Sequence, residues 1–253
     1  MRAVVLDVEG TTSSADHVRT VLFGYARREL PQWLVAHRTD PAVVRALRSA
    51  AALSGHPARD GGDLLSDRDL RELTAVLRDW IDRDAKATAL KSIQGMMWQE
   101  GFAAGALTSH VYPDVPPALR RWHARGLTLC IFSSGSVTAQ HAWFRHSPHG
   151  DLTPYLTHHF DTENAGAKSS PDSYRAIAAA IGAAAGQIVF LSDSDAELRA
   201  ARTAGWQAIG VRREESTPPA ADGPVVGSFD ELDITPEGAQ ILGAARGHPY
   251  VAR

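Results

Sequence analysis

Short apolar runs alternate with amphipathic segments along the second half of this chain. The runs at residues 127–132, 188–191 and 208–211 are each followed by polar residues or glycine, which is typical of strands in a parallel sheet. Helical periodicity lies before, between and after them, at residues 115–125, 137–145, 171–182 and 195–204. This alternation predicts an α/β fold with a doubly wound parallel sheet and helices on both faces.

The first predicted strand is separated from the others along the chain. It covers residues 2–6, and residues 13–105 then have helical periodicity. A lone strand leaves its backbone groups unpaired, so this strand must join the later sheet. We therefore predict an α/β core made of residues 1–12 and 106–253, with an inserted helical cap at residues 13–105.

Gly, Pro and Asp content predicts two long loops, and a short apolar pair follows the second one. The loops lie at residues 54–63 and 214–224, and the pair predicts a final strand near Val225 and Val226. A short tail follows this strand.

Composition limits the classes of function. The 253 residues are 44% hydrophobic and 22% charged, as in a globular protein. The net charge of -3 gives no attraction to nucleic acid or to an anionic membrane. No apolar stretch approaches the roughly 18 residues of a membrane span, and the N-terminus does not resemble a secretory signal. We expect a cytoplasmic protein without nucleic-acid or membrane partners. Cys130 is the single cysteine and is predicted to be buried.

Four groups of polar residues are predicted at the carboxyl ends of strands, where open parallel sheets bind ligands. They are Asp7 with Glu9, then Ser133 to Ser136, then Lys168, and then Asp193 with Asp195 and Glu197. Taken singly, each group is explained as a helix cap, a turn former or a solvated charge.

Taken together, the four groups predict a site for phosphoryl transfer. Carboxylates are ligands that Mg²⁺ prefers. Hydroxyl and N–H groups before a helix bind phosphate oxygens. A lysine offsets the negative charge between a carboxylate nucleophile and the phosphate. The predicted ligand is therefore a small phosphorylated molecule, bound with Mg²⁺.

The order of these groups resembles the four motifs of haloacid-dehalogenase-type phosphatases. In most members, Asp stands two residues after the nucleophile. The position of the nucleophile corresponds to Asp7 in this chain, and the residue two positions later is Glu9. Further stretches are similar to the bifunctional enolase-phosphatases, or acireductone synthases, of methionine salvage. These stretches are Gln94-Gly95 with Trp98, Gly101-Phe102 with Gly105, residues 110–115, residues 132–137 with Ala139-Gln140, and residues 159–162. The resemblance runs from residue 3 to about residue 211, and it departs from the usual pattern at Thr108, Asp195 and Glu197.

This resemblance implies a reaction and a metal. The enzyme is expected to convert 2,3-diketo-5-methylthiopentyl 1-phosphate into an acireductone and phosphate. Asp7 is the expected nucleophile, and Glu9 is the expected general acid and base. Mg²⁺ is expected on Asp7, the Glu9 carbonyl and Asp193. The resemblance also favours a monomer.

The remaining roles concern phosphate binding and the lid. Ser133, Ser134 and Gly135 are expected to bind phosphate oxygens together with Lys168, which also stabilises the Asp7 anion. The inserted helices are expected to form a lid. Phe23 and Trp98 are candidates for a pocket around the methylthio group, and ordinary helix packing is the alternative.

Several alternatives stay open from the sequence. The chain is also compatible with a related phosphatase that acts on another small phosphomonoester, or with a non-catalytic module that binds phosphorylated metabolites. One of Asp195 and Glu197 orients Lys168 or a metal-bound water, or both are exposed acids at a helix start. Glu9 is the nearest candidate for the base that removes the enolisation proton.

Overall fold

The computed structural model describes residues 1–56, 66–85, 87–213 and 223–242. The chain divides into two compact units. Unit 1 consists of Met1–Ala15 and Thr108–Arg253, and unit 2 is the inserted segment Asp16–Leu107. The predicted loops at residues 54–63 and 214–224 lie largely outside the described residues.

Unit 1 contains a six-stranded sheet in the order β3-β2-β1-β4-β5-β6, in which every neighbouring pair is parallel. The strands are β1 (Ala3–Leu6), β2 (Thr128–Phe132), β3 (His158–Phe160), β4 (Ile188–Ser192), β5 (Gln207–Val211) and β6 (Val225–Val226). The strand order reverses between β1 and β4, so a crevice at their carboxyl ends is the expected ligand site. This confirms the predicted α/β fold class.

The central strands are buried because helices flank the sheet. All four residues of β1 are buried, as are all five residues of β4. Parallel strands covered on both faces are continuous apolar runs, which is why the sequence predicted them. The helices of unit 1 after the insertion are α6 (Val115–Ala124), α7 (Val137–Arg145), α8 (Pro171–Ile181) and α9 (Asp195–Thr203).

Two parts of unit 1 were not predicted. β3 is a three-residue edge strand in which His158 and His159 are only partly buried, so no apolar run marks it. An antiparallel hairpin of β7 (Leu232–Thr235) and β8 (Gly238–Ile241) follows the sixth strand. The position of β3 corrects the expectation that Lys168 lies directly at the carboxyl end of a strand. Lys168 does not follow directly on a strand, since it lies in the loop between β3 and α8.

Unit 2 is helical in the described residues and has a hydrophobic core of its own. Its helices begin with α1 (Ala15–His17), which starts at the end of unit 1, and a π-helical segment (Val18–Phe23). The others are α2 (Gly24–Ala36), α3 (Pro41–Leu53), α4 (Asp67–Asp82) and α5 (Thr88–Ala103). A capping box between Ser66 and Asp69 fixes the start of α4. No helix among the described residues is long and apolar enough to cross a membrane.

Candidate active site

Asp7 lies where β1 ends, at the point where the strand order reverses. Its backbone N–H donates to the Leu191 carbonyl at 3.0 Å, which ties it to the end of β4. Its side chain is buried, with 5% of the residue exposed. A carboxylate in this position faces the crevice of the sheet and is shielded from bulk water.

Lys168 joins the buried carboxylate of Asp7 to the half-buried carboxylate of Glu197. Its Nζ lies 2.5 Å from Asp7 Oδ1 and 2.8 Å from Glu197 Oε2. Burial acts to lower the pKa of Lys168, but the two negative charges outweigh it and raise that pKa. Glu197 therefore contacts Lys168 and is not an exposed acid at the start of α9. One of the two alternatives left open for this residue is thereby excluded.

The pKa of Glu197 is raised to about 7, first by burial and then by the negative charge of Asp7. Lys168 opposes this shift. Ser192 Oγ donates to Glu197 Oε2 at 3.0 Å and lies 3.4 Å from Asp7 Oδ2. The cluster thus holds more negative charge than one ammonium neutralises, which prepares it for a cationic partner or for a proton.

The loop that carries Lys168 is fixed by two side chains from α8. The buried hydroxyl of Tyr174 donates to the Lys168 carbonyl at 2.8 Å, and Ser173 Oγ donates to the Ala167 carbonyl at 2.7 Å. The Phe132 ring lies 5.7 Å from Lys168 Nζ. These contacts hold the ammonium in place without using its own donors.

The turn after Asp7 brings Glu9 and Gly10 to the same edge of the sheet. Glu9 is exposed. Gly10 has φ +73°, and a Cβ added to it would lie 2.2 Å from Asp193 Oδ2. Only glycine fits here, because the backbone conformation and the close approach of Asp193 both exclude a side chain. Asp193 is therefore packed directly against the turn that carries Glu9.

Asp193 follows β4 and is partly buried. Its pKa is raised to about 6, first by burial and then by the negative charge of Asp7, while Lys168 and Arg212 oppose the shift. Arg212 Nη1 donates to the Asp193 carbonyl at 2.5 Å, and Nη2 lies 2.7 Å from Asp195 Oδ1. Asp195 thus forms an ion pair, which the sequence did not predict.

Arg212 is a residue of the site that sequence reasoning missed. It comes directly after β5, so its position at the carboxyl end of a strand is the signal that could have found it. Its side chain is 9% exposed and connects the turn after β4 to the end of β5.

Ser133, Ser134 and Gly135 lie in the loop between β2 and α7, and we call these three residues the serine loop. Ser133 is buried and its N–H donates to the Phe160 carbonyl at 3.1 Å, whereas Ser134 is exposed. Ser133 Oγ accepts from the Gly135 N–H at 3.3 Å. Ser136 begins α7 by accepting from the Ala139 N–H. The exposed hydroxyl before a helix N-terminus is suited to an anion.

The structure brings the predicted residues together to different degrees. Asp7 and Lys168 are in contact, and Asp193 packs against the turn that carries Glu9. The serine loop lies at the same edge of the sheet, after β2, the neighbour of β1. Phe23 and Trp98 belong to unit 2, where their rings stack at 6.0 Å. Their part in a methylthio pocket stays a prediction.

A model of the haloacid dehalogenase-like hydrolase family matches residues 1–205 of this chain. The sheet order and the acids at the strand ends define this class of hydrolase. The chain is similar in fold to the UTR4 protein of Saccharomyces cerevisiae, with a TM-score of 0.74 and 28% identity. That match covers 91% of this chain and 99% of the yeast chain.

Two relatives of similar sequence show which family within this class of hydrolase the chain belongs to. The enolase-phosphatase E1 of Streptomyces avermitilis is 51% identical over 83% of this chain and 84% of its own length. The enolase-phosphatase E1 of Nocardia farcinica is 48% identical over 92% of this chain and 96% of its own length. The chain therefore belongs to the enolase-phosphatase E1 family of the haloacid dehalogenase-like hydrolases. The predictions of this family and of a phosphatase enzyme are confirmed, and the non-catalytic binding module is excluded.

Proposed function

We propose that this protein is a Mg²⁺-dependent enolase-phosphatase that acts through an aspartyl-phosphate. Its substrate would be 2,3-diketo-5-methylthiopentyl 1-phosphate, and its products would be the acireductone 1,2-dihydroxy-3-keto-5-methylthiopentene and phosphate, a step of methionine salvage. The buried contact between Asp7 and Lys168 carries this proposal, because it places a carboxylate nucleophile beside a fixed cation in a chain of this family.

The first half of the hydrolysis uses Asp7 as the nucleophile. One of its carboxylate oxygens forms a bond to phosphorus while the bond from phosphorus to the ester oxygen breaks. The leaving oxygen takes a proton from Glu9, the general acid. Lys168 stabilises the ionised form of Asp7 before the attack and faces the phosphoryl oxygens during it.

The second half restores the enzyme. Glu9, now ionised, takes a proton from water, and the water oxygen bonds to phosphorus as the bond to Asp7 breaks. Glu9 is exposed, which allows it to exchange protons with water and to meet a leaving group. Asp7 is buried, which limits adventitious attack on the acyl phosphate of the aspartyl-phosphate.

The phosphate group would bind between the serine loop and Lys168. Ser133 and Ser134 would donate their hydroxyls, and Gly135 would let the backbone approach closely. The start of α7 directly after this loop adds the positive end of a helix dipole.

The donor set fits Mg²⁺. Asp193 and Asp7 are both carboxylates, and burial followed by the negative charge of Asp7 raises the pKa of Asp193 to about 6. The Gly10 position leaves no room for a Cβ beside Asp193. Asp7, Asp193 and the Glu9 carbonyl would hold the ion, which would supply charge neutralisation for the phosphate and the carboxylates. The proposed set has two side-chain carboxylates; among the described residues, no group of three or more His, Cys, Asp or Glu side chains could hold a metal ion.

Enolisation would precede the hydrolysis. A proton leaves the carbon that bears the phosphate ester, and the electrons of the broken C–H bond form a C=C bond as the neighbouring carbonyl becomes an enolate. The enolate oxygen then takes a proton from water, which gives the enol. Glu9 is our candidate for the base. A proton taken by Glu9 in this step is then available for the leaving oxygen, so that a single carboxyl group serves both reactions.

An assay of the diketo phosphate with and without Mg²⁺ tests this proposal. The expected result is an acireductone absorbance signal and an equal release of phosphate, both dependent on Mg²⁺. Release of phosphate from unrelated phosphomonoesters alone would favour the other phosphatase that the sequence left open. Monomeric state and a cytoplasmic location stay predictions.

A further inference from the structure

Gln140 is a buried residue of α7 that the reaction above does not use. Only 3% of it is exposed. Its Nε2 donates to the Gly135 carbonyl at 2.8 Å and to the Phe160 carbonyl at 2.9 Å. Its Oε1 lies 3.1 Å from His159 Nδ1. The side chain therefore connects the serine loop to the end of β3.

Chemistry determines which way the Gln140 amide points. Backbone carbonyls only accept hydrogen bonds, so the NH₂ group must face Gly135 and Phe160. Oε1 then needs a donor, which assigns the proton to Nδ1 of His159. The pKa of His159 is lowered to about 4, first by burial and then by His141 and His158, so its ring is neutral and keeps this one donor near neutral pH.

Two further hydrogen bonds connect the serine loop and the start of α7 to the end of β3 and to the residue after it. The Phe160 carbonyl also accepts from the Ser133 N–H at 3.1 Å. Asp161 Oδ2 accepts from the Val137 N–H at 3.0 Å, at the first residue of α7. Gln140 differs from these contacts because it acts on the Gly135 carbonyl, in the middle of the turn that follows Ser134.

We propose that Gln140, oriented by His159, is a positioning residue that sets the conformation of the serine loop for phosphate binding. The inference rests on the proposed binding of phosphate by Ser133, Ser134 and Gly135. Losing the amide frees the Gly135 peptide to rotate and moves the donors of this loop relative to Lys168. A displacement of these donors of the order of 1 Å weakens phosphate binding, even though Gln140 itself touches no substrate.

The test is inhibition of phosphatase activity by inorganic phosphate in the Mg²⁺-loaded protein. Gln140→Met keeps the volume and removes the donors, and it should raise the phosphate inhibition constant about tenfold. Leu119→Ala, which shortens a fully buried side chain on α6, should lower the Tm and leave that constant within about twofold.

A double-mutant cycle with Ser134→Ala separates this inference from the proposed function. Ser134→Ala alone should weaken phosphate inhibition, and adding Gln140→Met should then change it by less than about threefold. An unchanged constant in Ser134→Ala would overturn the phosphate assignment. If Ser134→Ala does weaken phosphate inhibition, either of two results would overturn only the positioning role of Gln140. Gln140→Met could leave the phosphate inhibition constant unchanged, or the effects of the two substitutions on that constant could add in full.

His159 gives a second, independent variant. His159→Asn puts an amide N–H near the position of Nδ1 and should keep phosphate inhibition within about threefold of the wild type. His159→Leu removes the donor and should weaken inhibition as Gln140→Met does. Equal inhibition constants in the two His159 variants would contradict the proposed orientation of Gln140.

Discussion

Lys168 Nζ lies 2.5 Å from Asp7 Oδ1, and the two side chains are only 8% and 7% exposed. A buried ion pair of this kind is costly unless further polar contacts complete it. Glu197 and Ser192 supply such contacts here. The arrangement is better suited to chemistry than to stability, since it concentrates negative charge where a phosphate and a metal are proposed to bind.

Replacing Lys168 tests this arrangement. Lys168→Met leaves the buried Asp7 and the half-buried Glu197 as adjacent carboxylates without this cation, so we expect kcat for phosphate release to fall about 100-fold or more. Lys91→Met is the matched control, because Lys91 is an exposed lysine of α5. Steady-state phosphate release measures both variants. Similar kcat values for the two would contradict a role of Lys168 in the reaction.

Gly10 provides a test of the metal site. Gly10→Ala should displace Asp193 and raise the Mg²⁺ concentration needed for half-maximal activity about tenfold or more, because the new Cβ meets Asp193 Oδ2. The control is Gly126→Ala, where φ is +77° and nothing lies within 4 Å of the added Cβ. Both variants share a backbone cost of about 1 kcal/mol. The same Mg²⁺ dependence in both would show that crowding of Asp193 has no effect on the metal.

Glu9 is tested by the step that limits turnover. Glu9→Gln keeps the size and removes the base, so kcat should fall about 100- to 10,000-fold. With a substrate whose leaving group needs no proton, a burst of leaving group should precede slow phosphate release, because the aspartyl-phosphate persists. Stopped-flow measurement of both products reports the burst. Unchanged turnover in Glu9→Gln would refute the acid and base role.

His159 predicts a dependence of stability on pH. Its pKa is about 4 in the folded protein, against an ordinary value of 6.5 in an unfolded chain. The unfolded state therefore binds the proton first, and stability is lost as the pH falls from about 6.5 towards 4. Allowing for partial exposure of the ring, the loss should reach up to about 2 kcal/mol. Urea unfolding at both pH values should show a smaller loss in His159→Asn. Parallel curves for the variant and the wild type would contradict this assignment.

Much of the sheet could be predicted because its strands are short apolar runs buried on both faces. The acids and hydroxyls that follow β1, β2 and β4 were found for the same reason, since each closes an apolar run. β3 was missed because His158 and His159 occupy two of its three positions. Its neighbours in the sheet, and not its own hydrophobicity, make it a strand.

The side-chain pairings of the site could not be predicted. Asp195 and Glu197 both lie in the first turn of α9 and look alike in sequence, yet Asp195 pairs with Arg212 and Glu197 pairs with Lys168. Their partners come from separate loops that meet only in the folded sheet. Local pattern carries no information on such contacts.

The most direct test of the account is to find the phosphoryl group on the enzyme. Rapid quenching of the Mg²⁺-loaded protein during turnover, followed by peptide mass spectrometry, should reveal one acid-stable, base-labile phosphoryl group on Asp7. Asp7→Asn should carry none and should release no phosphate. Turnover without a phosphorylated Asp7, or phosphate release by Asp7→Asn at the wild-type rate, would contradict the aspartyl-phosphate mechanism.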